Sequence, residues 1–238
     1  MSGHSHWAGI KRKKALVDAK RAQNFTKLTR AITIAAKEGG GNPEFNPLLR
    51  LAIEKAREFN VPKDKIEKAI RKGTGEEESE NLEEKTYEAL GPAGTMFIIR
   101  TISDNSNRTV GELRRIMEKN NGKMADGGIG WNFKRFGILA FSVEEERKEE
   151  LINSAIENQA EDFLEEENGD IMIKCAVENL NKIKNALAGY RLTKSEIRYL
   201  PLNPLVLTEK DKAKYVKLLS EIYENPDVQD VYDNVTPD

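Results

Sequence analysis

Three short runs of apolar residues at helical spacing, separated by glycine or proline, constrain what the first third of this chain can fold into. The apolar stripe of the first run covers an arc of roughly 80° around the helix. Its members are Phe25, Leu28, Ile32 and Ala35. The three predicted helices cover 17–37, 47–59 and 62–73. Helices this short can bury their stripes only against each other or against a neighbour. The pattern therefore predicts a small helical bundle over 17–75.

Charge is distributed unevenly along the chain. Residues 1–75 hold 17 Lys and Arg against 7 Asp and Glu, a balance of +10, whereas residues 76–238 hold 21 against 33, a balance of −12. The formal net charge of −2 hides this division. A basic segment joined to an acidic remainder is typical of a chain that binds a polyanion at one end. The charge pattern therefore predicts that a polyanion-binding surface lies in residues 1–75.

The cations of this basic segment lie opposite the apolar stripes and in an N-terminal arm. Candidate phosphate contacts on the predicted helices are Lys20, Lys27, Arg30, Lys37, Lys65, Lys68, Arg71 and Lys72. Candidate contacts in the arm are Trp7, Lys11, Arg12, Lys13 and Lys14. An aromatic ring beside cations is typical of a grip on single-stranded or looped nucleic acid, and packing of Trp7 on the bundle is the alternative. No helix carries base-reading Asn, Gln and Arg near its start, so we expect backbone or shape recognition with strong salt dependence.

Catalytic and metal sites are not indicated by the sequence. The two histidines, His4 and His6, both lie in the arm, which cannot hold a base within reach of a nucleophile. The lone Cys175 excludes an internal disulfide and a multi-cysteine metal site, and it fits a reducing cytoplasm. No run of apolar residues is long enough to span a membrane. We therefore expect a cytoplasmic protein with no enzyme activity, no cofactor, no metal and no membrane contact.

A polar cluster follows one predicted strand and opens the next predicted helix. It comprises Asn105, Asn107, Arg108 and Thr109. Thr109 and Glu112 have the spacing of a capping box, which by itself explains the polar residues. A helix N-terminus with Asn and Arg nearby is also a ready anion site. The two interpretations are compatible, and the cluster is a second candidate site.

Beyond residue 75 the pattern changes from helices alone to a mixture of strands and helices. Strand-like runs include 129–133, and the block 138–200 spells βαββαβ, the order of a ferredoxin-like unit. The predicted fold class is α+β, with an N-terminal three-helix bundle followed by two α+β domains, the ferredoxin-like one inserted in the other. The predicted boundaries are 1–75 for arm and bundle, 76–86 for an acidic linker, 87–136 with 203–238 for the discontinuous domain, and 137–202 for the inserted domain. Two consecutive α+β domains with a C-terminal appendage are the alternative.

Motifs over nearly the whole chain, strongest over 3–135, resemble those of YebC-type proteins. They include Gly3-His4-Ser5-x-Trp7, Asp18-x-Lys20-Arg21, Gly39-Gly40-Gly41, Asn46-Pro47-x-Leu49-Arg50, Gly73-Thr74-Gly75, Tyr87-Glu88, Gly91-Pro92 and Asp104-Asn105-x-Asn107-Arg108-Thr109. The resemblance implies a three-domain fold, with a helical bundle and two α+β domains. It also implies regulation of gene expression without catalysis, because the family is labelled as probable transcriptional regulators. Its members include a mitochondrial translational activator and proteins linked to ribosomes and to relief of stalling on proline-rich stretches.

One position departs from the pattern of the YebC-type proteins. The family has Lys after His-Ser, where this chain has His6. An imidazole is mostly neutral at neutral pH, whereas the lysine ammonium is charged. The departure therefore puts a phosphate contact at this position in doubt.

Three hypotheses for function follow from the charge pattern and the resemblance. The leading hypothesis is a translation factor that contacts ribosomal RNA, or RNA near the active centre of the ribosome, through residues 1–75. Its acidic α+β part would serve as a spacer or as a surface for protein docking, because nucleic acid would repel it. The alternative is a transcriptional regulator that binds promoter DNA. A third hypothesis is a protein-only scaffold, in which the basic bundle neutralises the acidic domains of its own chain.

Overall fold

The computed structural model describes residues 25–78, 81–166 and 168–236. The helices are α1 (Phe25–Gly39), α2 (Pro47–Glu58), α3 (Lys63–Thr74), α4 (Ser106–Lys119), α5 (Lys148–Glu157), α6 (Leu180–Ala186) and α7 (Glu209–Glu224). The strands are β1 (Glu83–Leu90), β2 (Met96–Ser103), β3 (Lys123–Ala125), β4 (Phe133–Ser142), β5 (Ala160–Glu165), β6 (Ile171–Cys175), β7 (Arg191–Pro201) and β8 (Val228–Asp233). One compact unit is Lys134–Leu200, and the described residues on both sides of it form the other. Within the described residues, no helix is both long and apolar enough to cross a membrane.

Helices α1, α2 and α3 pack their apolar stripes into one core. The buried members of this core are Leu28, Ile32, Ala35, Ala36, Leu49, Ile53, Ala56, Val61, Ile66 and Ala69. Asn46 caps α2 by accepting a hydrogen bond from the backbone N–H of Leu49 at 3.0 Å. Pro47 follows in the first turn, where the missing N–H leaves no bond unmade. Helix α3 ends at Gly75, whose φ of 81° is the left-handed conformation of a helix C-cap.

A close approach of α3 to α1 depends on Gly73. A Cβ atom at this position would lie 2.5 Å from the carbonyl oxygen of Thr33 and 2.6 Å from the Cβ of Ala36. One turn earlier, the Thr33 hydroxyl donates a hydrogen bond to the carbonyl oxygen of Ala69 at 3.1 Å. Because even a methyl group would force these backbones apart, glycine sets the spacing of the two helices.

The first sheet is antiparallel and has the strand order β3-β1-β2-β8. Helices α4 and α7 bury one face of it. The buried residues of this core are Ala89, Phe97, Ile99, Leu113, Met117, Leu207, Tyr215, Leu218, Leu219, Ile222, Val228 and Val235. The rings of Phe97 and Tyr215 stack with their centroids 6.1 Å apart. This core therefore joins segments from both sides of the inserted unit, so the first α+β domain is discontinuous in sequence.

The inserted unit has the strand order β5-β6-β4-β7, which is the order of a ferredoxin-like βαββαβ fold. Its buried core is Leu139, Phe141, Leu151, Ala155, Ile171, Ile173, Cys175, Ile183 and Leu187. Strands β4 and β7, which bring the chain into the unit and out of it, are neighbours in the sheet. In the first unit, the backbone N–H groups of Leu202 and Asn203 donate to the carbonyl and side-chain oxygens of Asn132 at 2.7 and 3.0 Å.

The predicted fold class is confirmed, with N-terminal helices and two antiparallel four-stranded sheets. Two local predictions are wrong, and one strand was not predicted. The acidic segment 76–86 is not linker throughout, because β1 begins at Glu83 and pairs with β2. Strand β3 was not predicted, and the predicted strand at 129–133 is a short 3-10 helix at Gly130–Asn132 followed by β4. The charged residues of β1 have a weak β propensity of their own. They form a strand because β1 pairs with the apolar strand β2, and this pairing overrides the propensity.

We expect Gly73→Ala and Gly111→Ala to change stability in opposite directions. Both glycines are helical, but a Cβ at Gly111 would meet nothing within 4 Å. Gly73→Ala should lower the free energy of unfolding by about 1–3 kcal/mol because the methyl group overpacks the contact of α1 with α3. Gly111→Ala should raise it by about 0.4–1 kcal/mol because alanine restricts the unfolded chain. Urea denaturation of both variants measures the difference, and equal effects would contradict the role of Gly73.

Candidate nucleic-acid interface

Six of the predicted contact residues, together with His6, lie outside the described residues. They are Trp7, Lys11, Arg12, Lys13, Lys14 and Lys20. The remaining seven lie on α1 and α3, and the structure divides them into two groups. Some point away from the rest of the protein, and others are bound within it. This division decides which cations can meet an external polyanion.

Helix α3 carries a stripe of lysines on the side opposite its buried residues. We call Lys65, Lys68 and Lys72 the lysine stripe; they are spaced by three and four residues and so share one face. Lys65 and Lys68 are exposed, and Lys72 is partly exposed. The ammonium group of Lys65 lies 5.5 Å from the centroid of the Phe25 ring, which steadies its side chain. The stripe is therefore a row of cations on one side of the bundle.

Two further predicted cations lie near the ends of the same helices. Lys37 is exposed in the last turn of α1. The guanidinium of Arg71 donates to Glu77 at 2.7 Å, and this hydrogen bond is the main reason that the pKa of Glu77 is lowered. Glu77 lies in the acidic segment after α3. Arg71 is thus already engaged with a carboxylate of its own chain, whereas Lys37 faces solvent.

Lys27 is buried, with only 5% of its surface exposed. Its ammonium group donates a hydrogen bond to the carbonyl oxygen of Tyr223 in the last turn of α7. Carbonyl groups in the last turn of a helix have no partner within the helix and carry partial negative charge, so a cation is favourable there. Lys27 therefore holds α1 against the C-terminal end of α7 and is not an exposed phosphate contact in this structure.

Arg30 is likewise bound within the protein. Its guanidinium forms an ion pair with Asp227 and donates to the carbonyl oxygen of Ile102 at 3.2 Å. A further ion pair joins it to Asp104 at 3.5 Å. The prediction placed Lys27 and Arg30 on a cationic face open to solvent. The helical spacing showed correctly that they lie opposite the core of the bundle, but that side of α1 packs on the first α+β domain.

The predicted anion site at the start of α4 receives a carboxylate of the protein itself. Asn105 caps α4 by accepting from the backbone N–H of Arg108 at 3.1 Å. The Thr109 hydroxyl donates to Asp227 at 2.6 Å, and the Arg108 guanidinium donates to the same oxygen at 3.1 Å. Asn107 remains exposed beside them. Two of the four predicted residues, Arg108 and Thr109, thus bind a carboxylate of the chain itself through their side chains, and an external anion at this site stays a prediction.

Asp227 lies at the centre of what we call the Asp227 cluster. Its members are Asp227, Arg30, Ser103, Arg108 and Thr109. The Asp227 side chain is 1% exposed, and Ser103 donates to it at 3.0 Å. Burial raises the pKa of Asp227, but hydrogen bonds from Thr109, Arg30 and Arg108 outweigh burial, and the net pKa lies below the ordinary value. Asp227 is therefore ionised at neutral pH and fully paired.

The sequence held one signal for this cluster that the prediction missed. Asp227 follows Asn225 and Pro226, and the Asn225 side chain accepts from the backbone N–H of Asp227 at 2.9 Å. An Asx-type turn directly before a strand fixes the direction of the carboxylate. The partners of Asp227, however, come from three distant segments. Only the tertiary structure brings these segments together.

The described residues offer neither a metal site nor an activated thiol. Within the ranges 25–78, 81–166 and 168–236, no group of three or more His, Cys, Asp or Glu has an arrangement that could hold a metal ion. Burial raises the pKa of the Cys175 thiol to about 11, so this thiol is protonated at neutral pH and is a poor nucleophile. The exposed cations are the chemically distinctive surface of the bundle.

Two family models match this chain and together cover nearly all of it. The model described as the TACO1/YebC protein N-terminal domain matches residues 5–76. The model described as the TACO1/YebC second and third domain matches residues 82–235. The boundary between the two models falls in the acidic segment between α3 and β1.

Curated relatives and a solved structure agree with these matches. A protein of Caldanaerobacter subterraneus named "probable transcriptional regulatory protein" is 45% identical over 99% of this chain and 98% of its own length. A protein of Petrotoga mobilis with the same description is 47% identical over 98% of this chain and 94% of its own length. The crystal structure of a conserved hypothetical protein from Aquifex aeolicus has a TM-score of 0.72 and 39% identity. That match covers 92% of this chain and 91% of the Aquifex chain.

The Asp227 cluster should give a strongly non-additive double-mutant cycle. We expect Arg30→Ala to lower the free energy of unfolding by about 2–4 kcal/mol because it removes a partner of a buried charge. In an Asp227→Asn background the same change should cost at least about 1 kcal/mol less, because no buried charge is left unpaired. Chemical denaturation of the four proteins measures the coupling. Additive effects would show that the two residues do not depend on each other.

The ionisation of Asp227 should also appear in the pH dependence of stability. Its folded-state pKa lies below the unfolded value of about 3.9, so its contribution is present above the unfolded pKa and is lost as pH falls through the folded pKa. The difference in unfolding free energy between the wild type and Asp227→Asn should therefore be largest near neutral pH and should shrink in acid. A difference that stays constant with pH would contradict this assignment.

Proposed function

Because the chain belongs to the TACO1/YebC family, we propose that it is a nucleic-acid-binding regulator of gene expression that acts in translation. Its helical bundle would contact ribosomal RNA, either in the assembled ribosome or close to its active centre, and relieve stalled synthesis. The regulatory names of the curated relatives support the general role. The RNA target and the link to translation are our proposal, and they imply a cytoplasmic protein that acts without catalysis of its own.

The observation that carries this proposal is the lysine stripe on α3. Lys27, Arg30 and Arg71 are bound to groups of the protein itself, whereas Lys65, Lys68 and Lys72 have no carboxylate within ion-pair distance among the described residues. Three like charges on one helix face repel one another, and only Lys65 makes a cation–π contact within the described part of the bundle, with the Phe25 ring. Contact with a polyanion removes that repulsion and releases counterions, which supplies binding free energy.

The composition of α3 favours a grip on the phosphate backbone. Its exposed residues are Lys63, Asp64, Lys65, Glu67, Lys68 and Thr74, with neither Asn nor Gln among them. Lysines hold phosphates and position a protein, but they carry little sequence information. A folded RNA offers a phosphate pattern set by its shape, which such a surface can recognise without reading bases. Ribosomal RNA is a large target of this kind.

The acidic α+β part has a separate place in the proposal. Residues 76–238 carry a net charge of −12 and would be repelled by a phosphate backbone. We propose that this part faces away from the RNA and serves as a spacer or as a docking surface for protein. The hydrogen bond of Lys27 to a helix end and the ion pair of Arg30 fit the idea that part of the basic charge neutralises the acidic domain, which is the core of the scaffold hypothesis. The lysine stripe is the part of the basic charge that remains after this neutralisation.

Binding to promoter DNA is the second candidate function. It is favoured by the name that the curated relatives share. The connection of α2 to α3 is also short, with residues 59–62 between them and Asn60 in a left-handed conformation. Helix-turn-helix proteins join their two helices by a turn of this length. This candidate requires a preference of at least ~10³-fold for specific over random duplex.

We expect the triple variant Lys65→Ala, Lys68→Ala, Lys72→Ala to lose affinity for ribosomes. If each lysine touches a phosphate, the slope of log Kd against log salt should fall by about three. Cosedimentation with ribosomes over a range of salt concentrations measures the slope. Wild-type protein should pellet with ribosomes at low salt and should be released at high salt.

A matched control comes from a second row of lysines in the same chain. Lys210, Lys214 and Lys217 are exposed on one face of α7 at similar spacing. Their triple alanine variant removes the same charge and should leave the salt slope unchanged, as should Arg30→Ala. Competition with promoter duplex and random duplex in the same assay separates the two candidate functions. Failure of the wild type to pellet at low salt would reject the translation proposal.

A further inference from the structure

The loop between α1 and α2 presents one aromatic ring almost completely to solvent. Phe45 is 83% exposed, which is the largest value for any large hydrophobic residue among the described residues. Leu48, one turn further along, is 39% exposed. Single apolar side chains are common on protein surfaces, so exposure alone says little. Phe45 differs from such residues because hydrogen bonds hold the backbone on both sides of it.

The loop is held in one conformation by hydrogen bonds on both sides of Phe45. Asn46 is 4% exposed, and its amide group donates to the carbonyl oxygens of Ala35 and Gly40, both at 2.8 Å. Its side-chain oxygen caps α2 through Leu49. A Cβ on Gly39 would lie 2.6 Å from this amide, so glycine makes room for Asn46. The residue after Phe45 is therefore fixed to both α1 and α2.

The residues before Phe45 are fixed as well. Asn42 accepts from the backbone N–H groups of Phe45 and Asn46 through its carbonyl oxygen, at 3.2 and 3.0 Å. Its side chain accepts from the backbone N–H of Glu44 at 2.9 Å. Pro43 adds a further restriction on the backbone. Because little backbone freedom remains to be lost, a partner can use the ring at a low entropic cost.

Phe45 does not form the packing contact that an apolar residue at this position usually forms. It directly precedes the helix cap Asn46, and an apolar residue there commonly packs against the fourth residue of the helix as a hydrophobic staple. In this chain the fourth residue of α2 is Arg50, and the ring remains in water. The ring thus contributes little to its own fold, although its backbone is rigid.

Exposed charged residues flank this loop, namely two cations and the carboxylates of Glu38 and Glu44. Asn46 bonds to the last two turns of α1 and to the first turn of α2, so these helix ends meet at the loop. Lys37 lies in the last turn of α1, Arg50 lies in the first turns of α2, and both side chains are exposed. A rigid aromatic ring with cations on either side matches an unpaired nucleotide, whose base stacks while its neighbouring phosphates pair with the cations.

We propose that Phe45 is a stacking platform for an unpaired base of single-stranded or looped RNA, with Lys37 and Arg50 contacting the flanking phosphates. The proposal rests on the nucleic-acid-binding function proposed above and specifies the substrate class. It predicts a preference for unpaired RNA over duplex, because a paired base offers no free face to the ring. A protein partner is less well matched, because the exposed apolar surface here is limited to Phe45 and Leu48.

The test compares three labelled ligands of equal length: single-stranded RNA, the same RNA as a duplex, and an abasic sugar–phosphate strand. Fluorescence anisotropy at fixed salt gives Kd for the full chain. Phe45→Ala should weaken binding of single-stranded RNA by about 5-fold or more. It should leave Kd for the abasic strand unchanged, because that strand has phosphates but no bases. Phe45→Trp should retain or strengthen binding of the single strand.

Phe163→Ala provides the matched control, since Phe163 is an exposed phenylalanine on β5 of the inserted unit. It should leave all three Kd values unchanged. Equal binding of single-stranded RNA by wild type and Phe45→Ala would overturn the platform while leaving the proposed function intact, and so would an equal loss on the abasic strand. If the wild type bound neither ribosomes nor any of the three ligands, both proposals would be rejected together.

Discussion

The burial of one negative charge organises the larger unit of this protein. A carboxylate removed from water is tolerated only when cations and hydrogen-bond donors surround it. Asp227 meets this requirement with Arg30 from α1, Arg108 and Thr109 from α4, and Ser103 from β2. Loss of any one of these segments would remove a donor from the buried carboxylate. The helical bundle and the first sheet are therefore tied together by ion pairs and hydrogen bonds to one group.

The basic residues of the bundle therefore fall into two groups, those bound within the protein and those exposed on its surface. Lys27 and Arg30 neutralise a helix end and a carboxylate of the acidic domain, so they act within the molecule. The lysine stripe and Lys37 lie on other sides of the bundle and keep their charge available. A count of charges along the chain cannot make this distinction, because it treats both groups alike. The distinction matters for mutagenesis, since Arg30 is a partner of a buried charge whereas Lys68 is exposed on the surface.

Local periodicity predicted much of the fold, because each helix buries the stripe that its own spacing defines. The stripe of Ile32 and its neighbours, the cap at Asn46 and the βαββαβ order could all be read from the sequence. Strand β1 could not, because half of its residues are charged and its conformation depends on pairing with β2. The same limit applies to Arg30. Helical spacing shows which side of a helix faces away from the core of the bundle. It does not show whether that side meets water or another domain.

The span of the contact between Arg30 and Asp227 has a consequence for how the protein is made. The two residues are 197 positions apart, and the inserted unit is synthesised between them. When α1, β2 and α4 leave the ribosome, Asp104 is already present to pair with Arg30 and Arg108, but Asp227 and strand β8 are not. The inserted unit, whose core residues all lie within 134–200, can complete its folding earlier during synthesis. The two arginines of the nascent chain thus share one carboxylate until residue 227 has been added.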